Sequence, residues 1–563
     1  MIPWSRHPIL AGALMFAAAC SPQKPGGSAG DWDRFVSGFI DSYFEAEPLF
    51  AVYQGRHEFD GQFPDWTAAG LQRRAQRLHQ LRDSAAVFPL ASTDTARLVE
   101  RDYVVAVIDG DLFWLERAEW PYRNPEYYTG GIDPNVYLAR EYAPLEQRMR
   151  AFTQYARNLP SALAQARANL RTPMPKSYAE IGHGRFSGLA SYLETDVPQV
   201  FASVKDSALQ RDFAIANAAA AKALHEIAGW LQGQIKAGTA AYALGPEKFR
   251  DMVRMTEGVE LSLEELEVEG KADLERNLAA LREACSKFAP GRPISGCIER
   301  VNQRKPVGGP VRAAQAQLDT LRRFLEDKDL VSVPGSEQAL VRESPPYQRF
   351  NSAYIDIPGP YEKGLPSIYY ISPPDPSWSP KERAAYIPGT ADLLFTSVHE
   401  VWPGHFLNFL HSNRAKSKFG QIFVGYAFAE GWAHYTEEMM WEAGLGNGDP
   451  EVHIGQLSNA LLRNVRYLSA IGLHTKGMTV EQSERMFREQ AFQDPGNARQ
   501  QAARGTYDPA YLNYTMGKLM IRKLRDEWTR TRGGREAWKQ FHDTFLSYGG
   551  PPIPLVRKAM LGG

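Results

Sequence analysis

Between Leu393 and His405 the chain reads LLFTSVHEVWPGH, and this stretch limits the possible folds more than any other. The apolar run Leu393 to Val398 asks for a buried helix, yet it ends in His399 and Glu400. An unpaired carboxylate is costly to bury, so Glu400 has no packing rationale there and points to chemistry. In the familiar His-Glu-x-x-His pattern the two imidazoles sit at i and i+4 on one helix face. Here the second imidazole, His405, comes six residues after the first, and a regular helix would turn it well away. Pro403 removes a backbone donor and clashes with the preceding turn, while Gly404 accepts unusual dihedrals. A bulge over Trp402-Pro403-Gly404 is therefore expected, swinging His405 back beside His399.

A second segment, Ala429 to Glu438 (AEGWAHYTEE), places Glu430 25 positions after His405. Zinc hydrolases commonly combine imidazole and carboxylate ligands with an open position for water, and a further Glu serves as base. The pattern predicts Zn2+ held by His399, His405 and Glu430, with Glu400 as general base. Histidines on apolar helices are more often satisfied core residues than ligands. Against that, four of the twelve histidines fall between His399 and His434. His434, one turn after Glu430, is expected near the site but not as a ligand. Asp392 and Glu437 are the carboxylates expected to orient the metal-bound imidazoles, and Glu438 reads as a solvated surface residue.

HEVWPGH followed by EGWAHYTEE resembles the bacterial "domain of unknown function 885" family, many of whose members are described as lipoproteins. The resemblance runs from about Asp31 to the C-terminus, and the family is in turn similar to gluzincin metallopeptidases. It implies zinc, and a large helical metallopeptidase-like fold with a deep central cleft. It also implies two groups for the oxyanion. Tyr507 to Gly517 resembles a Pro-x-x-x-x-Tyr-x-x-Gly stretch and points to Tyr514. Arg466 to His474 (RYLSAIGLH) resembles an Arg-x-x-x-Asp-x-Gly-x-His stretch and points to His474, although Ala470 stands where that pattern has Asp. Gluzincin substrates commonly pair along a strand edge before the metal helix, which makes Ser367 to Ile371 a candidate, a structural hairpin being the alternative.

The N-terminus carries an address. Arg6 and His7 precede the apolar run Ile9 to Ala19, too short to span a bilayer, so residues 1–19 read as an export signal. Its end, Ala17-Ala18-Ala19-Cys20, resembles a lipoprotein signal cleaved before a lipid-bearing Cys20; Ala17 replaces the usual Leu, which leaves an ordinary secreted protein as the alternative. Ser21 rather than Asp at the next position would, in a Gram-negative host, favour a periplasm-facing outer-membrane location over inner-membrane retention. Residues 20–30, rich in Gly, Pro and Ser, read as a flexible tether. Cys285 and Cys297 suit a local disulfide in an oxidising compartment, worth about 3 kcal/mol by chain entropy; two free buried thiols are the alternative. With a formal net charge of −1 and no long basic run, a nucleic-acid partner is disfavoured.

Apolar periodicity near 3.6 dominates the rest, so the fold class is predominantly α-helical with a minor β element. One helical domain is expected over residues 31–563, its metal-bearing half from about 345. Helices are expected at Thr95 to Leu115 (capped by Thr93 or Asp94), Asn135 to Asn158, from Pro160 to Arg171, Asp212 to Lys236 and Leu261 to Lys287. The last opens with a Ser262/Glu265 capping box. Ile181 to Ser187, IGHGRFS, reads as a glycine-punctuated turn carrying His183. The pair His57-Glu58 reads as structural, because no second His follows at ligand spacing. These readings converge on an exported, lipid-anchored zinc metallohydrolase acting on peptide bonds. The alternatives are a zinc amidase on a non-peptide or cell-wall amide and an inactive binding lipoprotein, with Glu400 arguing against the latter.

Overall fold

The computed structural model describes residues 29–349 and 351–562. The expected export signal and Cys20 lie outside the described residues, and Ala29 and Gly30 of the expected tether already belong to the first helix. The chain is predominantly helical with a small three-stranded sheet. The main helices are α1 (Ala29–Ala46), α2 (Thr95–Leu112), α3 (Leu145–Asn169), α4 (Lys176–Thr195), α5 (Ser207–Ala237), α6 (Pro246–Glu257) and α7 (Leu263–Phe288). The strands β1 (Ala339–Glu343), β2 (Ala353–Asp356) and β3 (Ser367–Ile371) follow. Then come α8 (Thr390–Glu400), α9 (His405–Ser412), α10 (Tyr426–Glu442), α11 (Pro450–Thr475), α12 (Pro495–Tyr507) and α13 (Asn513–Thr529).

Local signals explain many of the ends. Asp94 accepts the Arg97 N–H and starts α2. Ser262 and Glu265 complete the expected capping box of α7, and such caps are typically worth ~1 kcal/mol. Two expected breaks do not occur. Pro160 lies inside α3, where Phe152, Tyr155, Leu159 and Leu163 are all buried. At about 1.5–3 kcal/mol for each apolar side chain, their burial exceeds the ~3 kcal/mol cost of an interior proline. The IGHGRFS segment is likewise helical, within α4. Its Gly182 serves packing rather than turning, since a Cβ there would lie 2.8 Å from Pro125 Cβ. His183 bonds the Ala228 carbonyl of α5 through Nδ1 (3.0 Å).

Two apolar cores result. One gathers α1, α3, α4 and α5 around residues such as Phe39, Phe152, Phe186 and Leu224. The other gathers α7, α8, α10, α11 and α13 with the sheet, around Tyr369, Phe395, Trp432 and Tyr467. This second core also takes in Phe249, Leu281 and Leu318, so it draws on chain well before residue 345. Cys285 and Cys297 are bridged within it. Among the described residues no helix is long and apolar enough to cross a membrane.

His57 ties the two parts together. Its Nδ1 lies 3.0 Å from Asp60 and its Nε2 3.1 Å from Glu362, in the loop after β2, and its ring stacks on Tyr142. Burial alone would lower its pKa, but the two carboxylates outweigh burial and raise it to about 9. Because the folded value lies above the ordinary 6.5, the stabilisation is full below about pH 6.5 and is lost as pH rises through about 9. Thermal melts of the parent and His57→Gln are expected to differ most below pH 6.5 and to converge above pH 9; a gap independent of pH would refute this.

Candidate metal centre

The expected interruption of the helix is present. Helix α8 ends at Glu400, Val401 leaves helical geometry (φ −123°, ψ −76°), and α9 begins at His405. The Trp402–Pro403 peptide is cis, and the Pro403 carbonyl accepts the Trp432 indole N–H of α10 (2.8 Å). Gly404 folds back so closely that a Cβ would stand 1.8 Å from the His399 carbonyl oxygen. Instead of trailing round one helix, His405 becomes the first residue of a new one. Its ring centroid lies 4.8 Å from that of His399.

Helix α10 brings Glu430 to the pair. Its Oε2 lies 3.2 Å from His399 Nε2 and 3.1 Å from His405 Nε2, and ligand atoms of all three lie within 4.8 Å of one another. Tetrahedral zinc with bonds of about 2.0–2.2 Å separates its ligand atoms by about 3.3 Å, so the donor set and its spacing fit that ion. Burial alone would raise the Glu430 carboxyl, but the two imidazoles hold it well below the ordinary range. Helices α10 and α13 cross almost backbone to backbone, which brings Tyr514 of α13 beside the His399 ring. A Cβ on Gly517 would lie 2.2 Å from Ala427 O, and one on Gly431 2.5 Å from Gly517 Cα.

Glu437 takes the orienting role expected of it. Its Oε1 accepts from His399 Nδ1 (2.7 Å), which leaves Nε2 as the lone-pair nitrogen facing Glu430 and His405. The carboxylate is fully buried. Burial opposes its charge, but Arg463, 3.2 Å away, and then His434 and His399 hold its pKa far below the usual range. Asp392, the other expected partner, does not reach an imidazole. It accepts from Asn459 Nδ2 (2.6 Å), and Asn459 Oδ1 in turn accepts from Arg463 Nη1 (2.9 Å). His434 is buried behind the cluster, where burial lowers its pKa to about 4. Glu438 is not a surface group: it is 8% exposed and pairs with Arg276, Arg522 and Lys518.

Glu400 follows His399, is 7% exposed and makes no side-chain hydrogen bond among the described residues. Burial raises its pKa, with His399 and His405 opposing. It opens instead on a cleft of about 970 Å³ shared with His399, His405, Glu430, Tyr426 and Tyr514. Tyr514, from the first turn of α13, stacks its ring 5.9 Å from that of His399. His474 takes no part. It lies eight residues after Arg466, about 12 Å further along α11. Both its ring nitrogens are engaged by backbone, Nε2 with Gly505 O (2.7 Å) and Nδ1 with the Leu244 N–H (3.2 Å).

The strand expected to receive substrate is also misplaced. β3 is central, parallel to β1 on one side and antiparallel to β2 on the other, so both its edges are occupied. The edge facing the cleft is β2, where Ala353 to Asp356 form part of the wall. The Ser372 N–H donates to Ser352 O (2.8 Å). Antiparallel alternation then directs the N–H and C=O of Ala353 and Ile355 away from β3. Arg463, Asn459 and Glu257 were not anticipated. Glu257, at the end of α6, is fully buried and accepts the Ala427 N–H, fastening the start of α10. Polar side chains on otherwise apolar helix faces were the available signal for Asn459 and Arg463.

Fold and site together define a helical protein whose deep cleft ends in a two-imidazole, one-carboxylate cluster with a free glutamate beside it. The chain belongs to the family described as "Bacterial protein of unknown function (DUF885)", which matches residues 48–560. Its fold is also that of a solved structure from Shewanella oneidensis described as a "putative lipoprotein of unknown function". That match has 25% identity, covers 95% of this chain and 100% of that one, and has a TM-score of 0.76. A "putative lipoprotein" from Colwellia psychrerythraea shares the fold at 16% identity, covering 94% and 98% of the two chains, with a TM-score of 0.79. No curated protein matches the chain.

Proposed function

We propose that this protein is a zinc-dependent hydrolase of peptide bonds in the cell envelope. The observation that carries the reading is the convergence of His399, His405 and Glu430 within bonding distance of one ion, with Glu400 unpaired in the same cleft. When bound, zinc supplies polarisation of the scissile carbonyl and acidification of a water. Glu400 accepts the proton of the attacking water on its carboxylate and returns it to the leaving amine nitrogen. The Tyr514 hydroxyl donates to the oxygen that becomes anionic. The Ala353 carbonyl accepts from Asn351 Nδ2 (2.9 Å), so the N–H and C=O of Ile355 are the β2 groups that align an extended chain along the cleft.

The cleft, about 970 Å³, suits a short peptide. Glu47, Asp111, Asp133 and Asp356 line it, but Arg74 pairs with Glu47 and Asp111 and Arg140 with Asp356 just behind the wall, so these carboxylates are largely compensated. The test is metal analysis of the purified chain followed by mass spectrometry of a defined peptide library. About one chelatable zinc per chain and zinc-restored cleavage are expected. A chain that takes up no transition metal, or a zinc-loaded chain that leaves every peptide intact, would refute the proposal.

The envelope location rests on Cys20 and on the two solved relatives described as putative lipoproteins. Cys20→Ser is expected to move the protein from the membrane to the soluble fraction. If the membrane fraction stays unchanged, this Cys is not the anchor.

A further inference from the structure

Two tyrosines, Tyr426 and Tyr514, line the cleft beside the cluster. Their hydroxyls are 3.1 and 3.3 Å from one nitrogen, Arg504 Nη2, on α12. A guanidinium has donors and no acceptor, so in both contacts the phenol oxygen accepts. The two hydroxyls differ in where their own protons go. The Tyr426 hydroxyl donates to Asp508 Oδ2 (3.1 Å), the same carboxylate oxygen that accepts from Arg504 Nε (2.9 Å). Its proton is therefore spent inside the ring formed by Arg504, Asp508 and Tyr426. The Tyr514 hydroxyl has no such acceptor among the described residues, and with one lone pair engaged by Arg504 its proton is left for the cleft.

The surroundings hold this arrangement in place. Tyr514 is 4% exposed, and its ring lies between His399 and three guanidinium groups: Arg466 at 4.7 Å, Arg504 at 5.7 Å and Arg463 at 5.9 Å from the centroid. Arg466 bonds the neutral Gln501 (2.8 Å) and Arg463 faces Glu437, so of the three only Arg504 reaches the hydroxyl. Asp508 lies four residues after Arg504 and locks its fork. A lysine at 504 would keep the charge but lose the planar fork that reaches Asp508 and both phenols together.

We propose that Arg504 is the positioning residue for Tyr514, engaging its oxygen so that the O–H is presented to the substrate oxygen at the metal cluster. The inference rests on the function proposed above for its catalytic consequence, but not for its geometry. The test uses the full chain and the variants Arg504→Lys, Tyr514→Phe and the double substitution, with Asp508→Asn as the alternative should Arg504→Lys fail to fold. On a peptide cleaved by the zinc-loaded parent, Arg504→Lys is expected to lower kcat by ~10–100-fold with KM and zinc content near parental values. In the Tyr514→Phe background the same change is expected to cost little more. Equal losses with and without the Tyr514 hydroxyl, or an undiminished kcat, would overturn the inference.

Crystals of metal-free parent and Arg504→Lys supply a readout independent of turnover. The Tyr514 hydroxyl is expected to leave its parental position in the variant. If it stays, Arg504 does not position it, whatever the enzyme does. Failure of the parent to cleave any peptide would remove the proposed function and leave the geometric result to be decided by the crystals alone.

Discussion

Glu400→Gln is expected to bind zinc as the parent does and to hydrolyse peptides at least ~100-fold more slowly, the lower end of what a positioned general base contributes. The substitution keeps size and shape, and Glu400 makes no hydrogen bond to the protein among the described residues, so the fold has little to lose. Replacing a buried carboxylate by an amide also relieves a desolvation penalty, so the melting temperature is expected to hold or rise slightly. The measurement is kcat on a confirmed peptide together with metal content. Retained turnover would make the zinc structural or move the chemistry to another site.

Gly404→Ala is expected to abolish the metal site, although it adds one methyl group. That methyl would stand 1.8 Å from the His399 carbonyl oxygen and 2.5 Å from the Val398 carbonyl oxygen. Both neighbours are backbone, so no side chain can swing aside. Overpacking usually costs 1–3 kcal/mol, and here relief has to come from the turn itself. Because Gly404 N donates to Val398 O (3.0 Å), opening the turn unlatches His405 from His399. Zinc affinity of Gly404→Ala, measured against the parent by competition with a chelator, is expected to fall at least as far as for His405→Ala. Parental affinity would show that the break between α8 and α9 does not set the ligand geometry.

Much of this site was legible in the chain. Glu400 after an apolar run, an imidazole on either side of Trp402-Pro403-Gly404, and Glu430 on an independent segment are local facts. Proline and glycine chemistry sufficed to foresee the broken helix. The Ser262/Glu265 capping box and the 3.6 period marked several helices for the same reason, since they depend on neighbours within a turn or two. Glu437, two helical turns from Glu430, was reachable by periodicity alone.

What remained hidden depends on which surfaces meet. Pro160 and the glycines of IGHGRFS read as breaks because their cost is local and their compensation, burial against distant helices, is not. Strand Ser367 to Ile371 was evident as a strand, but only the pairing of β1 and β2 with its two edges made it central and handed the cleft to β2. His474 shares a helix with Arg463 and Arg466 and yet points into backbone, because its distance along α11 separates it from the cluster. The sequence by itself determined which imidazoles and carboxylates were available to meet, His399, Glu400, His405 and Glu430, because these depend on residue type and short-range spacing. Only the tertiary structure decided which carboxylate orients His399, which strand edge is free and which arginine reaches Tyr514, because each depends on close approach between elements far apart in the chain.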